Sequence, residues 1–163
     1  MDSSLKTIFW KQFGASIDML ENAIAACPDE LWDAESKFWY NAYHTLFFFD
    51  YYLSEAPKSF SPPEPFTLSE LDPAGAMPER TYRKEELLAY LNFCRQKCHD
   101  FISGITADSD HKRFVNEARN YSIPEILIYN MRHVQHHVAQ LNLLLRQGMS
   151  HVPKWVSQTE SEL

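Results

Sequence analysis

The sequence predicts an all-α fold, a bundle of four helices, and three observations predict it. Glycine is scarce, at four residues in 163, where an average globular chain carries about 7%. That argues against a turn-rich β sandwich, which needs positive-φ residues every few positions. Six of the nine prolines (Pro57, Pro62, Pro63, Pro65, Pro73 and Pro78) crowd between Ala56 and Arg80, where no helix can persist. On both sides of that stretch apolar residues recur at spacings of three and four, the period of amphipathic helices. With 45% of residues hydrophobic, the length suits a single domain spanning residues 1–163.

The first helix is expected over about 4–26. Phe9, Phe13, Ile17, Leu20, Ile24 and Cys27 form its apolar stripe, and Pro28 stops it. The second is expected over about 36–55, with Tyr40, His44, Phe47, Phe48 and Tyr51 on one buried face. Phe49 and Tyr52 lie elsewhere around this helix, which places it centrally. The linker 57–80 follows. The third helix is expected over about 83–103, with Leu87, Leu91, Cys94, Cys98, Phe101 and Ile105 inward and Gly104 as C-terminal cap. Residues 107–121 are polar and unpatterned and read as a loop, with room for a short helix. The fourth helix is expected over 123–147. Ser122 and Glu125 make a capping box, Pro124 sits in the first turn, and Gly148 follows the last. Four helices of this length form a four-helix bundle. Extended chain covers about 3.4 Å per residue, so the linker reaches the ~30 Å length of such a bundle and allows a crossover.

Composition excludes several functions. Fifteen basic against 22 acidic side chains leave a formal charge of −7. No basic block is available to displace phosphate counterions, so no nucleic-acid partner is expected. The scattered glycines exclude both phosphate-cradling glycine loops. The most apolar stretch, Phe38 to Leu53, is too short to span a bilayer and is interrupted by Asn41, His44 and Asp50. The N-terminus does not read as a signal peptide, and three cysteines do not make a disulfide framework. The expected location is the cytoplasm, with no membrane association.

Histidine placement carries the chemistry. His133 and His137 are four apart, about 40° around a helix, so they project side by side. Two imidazoles at that spacing make half of a metal site. His44, on the second helix, supplies a third nitrogen, and three nitrogens leave a coordination position open, as in catalytic sites. His136 forms an alternative pair with His133 but points about 100° away from His137, so it belongs to the rim. The competing reading is three core histidines satisfied by hydrogen bonds, with no metal. Asp50, six residues beyond His44, is turned about 120° away and is expected to bond across helices. Cys94 and Cys98 match the apolar stripe and read as core thiols. His99, His111 and His151 are expected in water. Tyr43 and Asn130 flank the ligands and could orient a bound water.

The segments Ala42-Tyr43-His44-Thr45-Leu46-Phe47-Phe48-Phe49-Asp50 and His133-Val134-Gln135-His136-His137-Val138-Ala139-Gln140-Leu141 together resemble the DinB/YfiT-like family of small metal-binding helical proteins. Residues 82–91 and the Leu144-Leu145-Arg146-Gln147-Gly148 ending add to the resemblance, which covers essentially the whole chain. It implies an up-down-down-up bundle with the linker as crossover. It also implies a divalent metal, zinc or nickel, held by His44, His133 and His137, and a homodimer. The family includes transferases and isomerases that use low-molecular-weight thiols, which implies a thiol cosubstrate and a small-molecule substrate. Two positions depart from the family pattern. Val134 replaces the frequent glutamate, which removes the H-E-x-x-H base of metalloproteases. Ala139 replaces a usual glycine. Two functions follow: a metal-dependent enzyme of S-transferase or hydrolase type, or a non-catalytic metal-binding or stress-associated dimer.

Overall fold

The computed structural model describes residues 1–106, 109, 111–149 and 152–163. Helix α1 runs Ser3–Ala26. It begins where the Asp2 carboxylate accepts from the Leu5 amide at 2.8 Å and ends at Ala26, two residues before Pro28. A four-residue helix, α2 (Asp29–Trp32), follows, and then α3 (Phe38–Tyr51). Helix α4 is Lys84–Ser103, started by the Glu86 carboxylate accepting from the Arg83 amide at 2.8 Å. Helix α5 is Ile123–Gly148, started by the predicted Ser122–Glu125 box. Between α4 and α5 a two-stranded hairpin, β1 (Arg113–Val115) and β2 (Asn120–Ser122), pairs antiparallel with Phe114 opposite Tyr121.

The chain is therefore mostly helical, as expected, but α2 is additional and several other elements differ. The second predicted helix is shorter than 36–55. Lys37 adopts a left-handed φ of 50° that begins a new helix, and the chain turns after Tyr51. The hairpin occupies part of the expected loop, where Asn116 Oδ1 accepts the amides of Ala118 and Arg119 and closes the turn. Gly104 caps α4 without needing a left-handed conformation, since its φ is −75°, and Gly148 lies inside the last turn of α5.

Each long helix packs against two others: α1 against α4 and α5, and α3 against α4 and α5. Lys6 Nζ reaches the Ser103 carbonyl and Lys84 Nζ the Cys27 carbonyl, while Arg95 bonds both Asp18 and Glu21. Tyr82 packs on Trp39 and Tyr43, and Cys94 Sγ approaches the Leu46 carbonyl. Asn130 Nδ2 donates to the Phe49 carbonyl at 2.9 Å. The predicted stripe of α1 is buried except for Phe9, which is half-buried, and Cys94 and Cys98 are core thiols. The α4 stripe holds as well, but Ile102 takes the core position expected for Phe101.

Helix α3 is central, and its rotation differs from expectation. Phe38, Ala42, Tyr43, Leu46 and Phe49 face the core, whereas Tyr40, His44 and Phe48 are only half-buried. The aromatic rings of α3 are covered from outside by the connector, residues 52–83. Phe60 packs on Phe47 and Tyr51, and Phe66 stacks on Tyr90 at 4.3 Å. The C-terminal segment lies along α1, where Thr159 occupies the space a side chain on Gly14 would need. Among the described residues no helix is long and apolar enough to cross a membrane.

Candidate metal centre

His133 and His137 stand one turn apart on α5, and His44 faces them from α3. Ring centroids are 4.5 Å apart for His133–His137, 4.8 Å for His44–His137 and 5.6 Å for His44–His133. One ligand nitrogen from each lies within 4.8 Å of the other two. The cluster sits at the margin of the core, because the face of α3 that carries His44 is not its innermost one. The side chain of His44 is 30% exposed.

Hydrogen bonds decide which nitrogens are available. His44 Nδ1 lies 2.6 Å from Glu70 Oε2, so it carries the proton and leaves Nε2 as the lone pair. His137 Nδ1 lies 2.7 Å from Gln140 Oε1 and 3.1 Å from Asn41 Oδ1, which assigns it the same tautomer. His133 Nδ1 is buried with no hydrogen-bond partner. A buried polar nitrogen left alone is costly, and the competing reading of core histidines satisfied by carbonyls does not account for it. Oriented lone pairs, outer hydrogen bonds on two rings and an orphaned nitrogen on the third suit a divalent cation. Phe48 walls the cluster beside His44 and His133, and Tyr52 beside His133.

A family model of the DinB superfamily matches residues 12–141, a span that holds all three histidines. The chain belongs to the DinB superfamily. No curated protein and no solved structure gives a match to it.

In this DinB-superfamily chain, burial depresses the basicity of two members of the cluster. Burial first, then the neighbouring rings of His137 and His44, bring His133 from 6.5 to about 3. Burial, then His44, brings His137 to about 4. Both are neutral at pH 7, the form that binds metals. The sign of the linkage follows. The unfolded chain takes up these protons near pH 6.5, the folded chain only near 4 and 3, so stability present above pH 6.5 is lost as pH falls through that window. The metal-free protein is expected to melt progressively lower between pH 6.5 and 4, and His133→Leu to flatten that slope. Thermal melts in chelator check this, and identical slopes for the two proteins would refute it.

The other predicted site residues are placed as follows. His136 is exposed at the rim, its ring 5.1 Å from His137. Asp50 bonds across helices to Tyr90 and Lys97, away from the cluster. His111 is exposed, His99 is half-buried against Trp10, and His151 lies outside the described residues. The Tyr43 hydroxyl donates to the Thr67 carbonyl and the Asn130 amide to the Phe49 carbonyl, while Asn130 Oδ1 is buried with no hydrogen-bond partner.

Sequence reasoning missed Glu70, Asn41 and Gln140 as partners of the cluster. Asn41 lies three before His44 and Gln140 three after His137, so a search for polar residues one turn from each candidate ligand would have found both. Glu70 comes from an aperiodic connector and has no such signal.

Two spaces adjoin the site. A surface groove bounded by Tyr129, Arg132, His133, Gln135 and His136 opens on the cluster. Tyr52, on its other side, lines a cavity of about 280 Å³ together with Phe101, Ile105, Phe114 and Ile126. The groove contains His133 itself, whereas none of the three histidines lines the cavity.

Proposed function

We propose that this chain binds one divalent metal ion, zinc or nickel, through His44, His133 and His137, with a coordination position left open, and acts as a metal-dependent enzyme of thiol-dependent S-transferase or hydrolase type. The observation that carries the reading is the convergence of three imidazole nitrogens from two helices within 4.8 Å. A tetrahedral ion with bonds of about 2.0–2.1 Å holds its ligand nitrogens about 3.4 Å apart, so modest side-chain torsions close the site.

A bound divalent ion supplies Lewis acidity, lowering the pKa of a coordinated thiol or water. The chain's own residues do the rest. His44 and His137 offer lone pairs oriented by Glu70, Asn41 and Gln140, Phe48 and Tyr52 exclude water from one side, and the groove beside His133 admits a small molecule. Among the described residues no carboxylate joins the three-histidine group, and the nearby Glu70 is engaged with His44. Without a general base the site favours a nucleophile that ionises readily. A thiol, with an ordinary pKa near 8.5, fits better than water, which favours the S-transferase reading.

The named helix contacts support an up-down-down-up arrangement. Lys6 meets Ser103 and Lys84 meets Cys27, so α1 and α4 run oppositely; Tyr82 lies beside Trp39 and Lys97 beside Asp50, so α3 and α4 run together. Asn41 lies near Gln140 and Phe49 near Asn130, so α5 returns against α3. Residues 52–83 are then the crossover. Ile128 and Leu143, exposed along α5, support a homodimer, and three buried thiols support a reducing, cytoplasmic setting.

The test is metal analysis of untagged protein, followed by conjugation of a low-molecular-weight thiol to an electrophile. About one metal per chain and turnover abolished by His44→Ala are expected. Metal binding without turnover on any thiol would favour a non-catalytic metal-binding protein, and less than about 0.1 metal per chain after reconstitution would overturn the reading.

A further inference from the structure

Glu70 lies in a 3-10 turn, Ser69–Leu71, within the proline-rich connector, yet it reaches into the histidine cluster. Only 4% of its side chain is exposed, although it is an acid on a surface connector. One oxygen, Oε2, meets His44 Nδ1 at 2.6 Å; the other, Oε1, is buried and accepts nothing. A buried carboxylate with an unused oxygen opposes folding unless something in its surroundings gains from the charge. The closest such group is His44, at 2.6 Å, with the Tyr40 phenol also near enough to feel the charge.

The connector holds Glu70 there by contacts of its own. The Tyr43 hydroxyl donates to the Thr67 carbonyl at 2.8 Å, and Phe66 is sandwiched against Tyr43, Tyr82 and Tyr90. The three rings also differ in what backs them. His44 has a carboxylate, His137 two neutral amide oxygens, and the Nδ1 of His133 no partner. Among the described residues the charged backing comes from the aperiodic connector and not from either helical motif.

We propose that Glu70 is a positioning residue for the metal ligand His44, so that docking of connector residues 66–71 and occupation of the metal site reinforce one another. The inference rests on the metal reading above. The carboxylate holds the proton on Nδ1, turns Nε2 toward His133 and His137, and makes that nitrogen a stronger donor. A cation on Nε2 in turn makes Nδ1–H a stronger donor to Glu70, and the coupling acts equally in both directions.

Zinc affinity is measured by competition with a chromophoric chelator for wild type, Glu70→Gln and Glu70→Ala, alongside the visible absorption of the cobalt-loaded proteins. Glu70→Ala is expected to bind zinc about 10–100-fold more weakly. Glu70→Gln, which keeps an acceptor oxygen without the charge, should fall between and shift the cobalt bands. In wild type, zinc is expected to slow amide hydrogen exchange across residues 66–71 about tenfold. Wild-type zinc affinity in both variants, or no change in exchange at 66–71, overturns the inference and leaves the metal reading intact. A wild-type protein that binds neither zinc nor cobalt overturns both. If Glu70→Ala does not fold, the exchange measurement on wild type decides.

Discussion

Zinc at about a thousand times its dissociation constant is expected to raise the melting temperature of the wild-type chain by roughly 8–16 °C and to leave that of His133→Ala within about 2 °C of its metal-free value. A ligand that binds only the folded state at that excess stabilises it by about 4 kcal/mol, and a chain of this size shifts by about 2–4 °C per kcal/mol. His133 is the informative position because its imidazole has no protein hydrogen bond to lose at Nδ1. Replacing His44 or His137 would also disturb Glu70, Asn41 or Gln140. Differential scanning calorimetry with and without zinc checks the result. An equal zinc shift in wild type and His133→Ala would remove His133 from the ligand set.

The helices and two of the three site elements were legible in the chain because they obey a period. Helix α5 runs from the predicted capping box to within one residue of its predicted end, and α1 and α4 deviate by a single residue at their starts. The His133/His137 spacing needs only the helical repeat to bring the rings together. Helix α3 was harder. Nine aromatic residues between Phe38 and Tyr52 are apolar on every side, so periodicity says little about which face is innermost. The predicted inner face carries His44, whereas the packing of Phe38, Ala42 and Leu46 selects another. The difference matters, since it leaves His44 reachable from solvent. Three-residue strands are too short to show alternation, which hid the hairpin. Glu70 and Thr159 act through segments with no repeat at all, and only tertiary packing brings them to His44 and Gly14.

The second large effect concerns Asp50, which lies on the same helix as His44 and is outside the site. Its carboxylate is 1% exposed, and it is bonded by Tyr90 at 2.9 Å and by Lys97, whose ammonium also reaches the Asp50 carbonyl. Lys97→Met keeps most of the stem that lies along the core while removing the charge, which strands a buried carboxylate with one phenol. Breaking a buried pair from one side costs about 3–5 kcal/mol. The lower end applies here, because 29% of the Lys97 side chain meets water. A fall of about 3 kcal/mol, or roughly 6–12 °C in melting temperature, is therefore expected. Asp50→Asn combined with Lys97→Met should recover much of this loss, since no charge then remains to be stranded and the Tyr90 hydroxyl keeps an acceptor. Urea denaturation of the two single variants and the double variant gives the coupling directly. A Lys97→Met protein within about 0.5 kcal/mol of wild type would show that solvent already screens Asp50. The zinc shift should survive in Lys97→Met, because neither Asp50 nor Lys97 touches the three histidines.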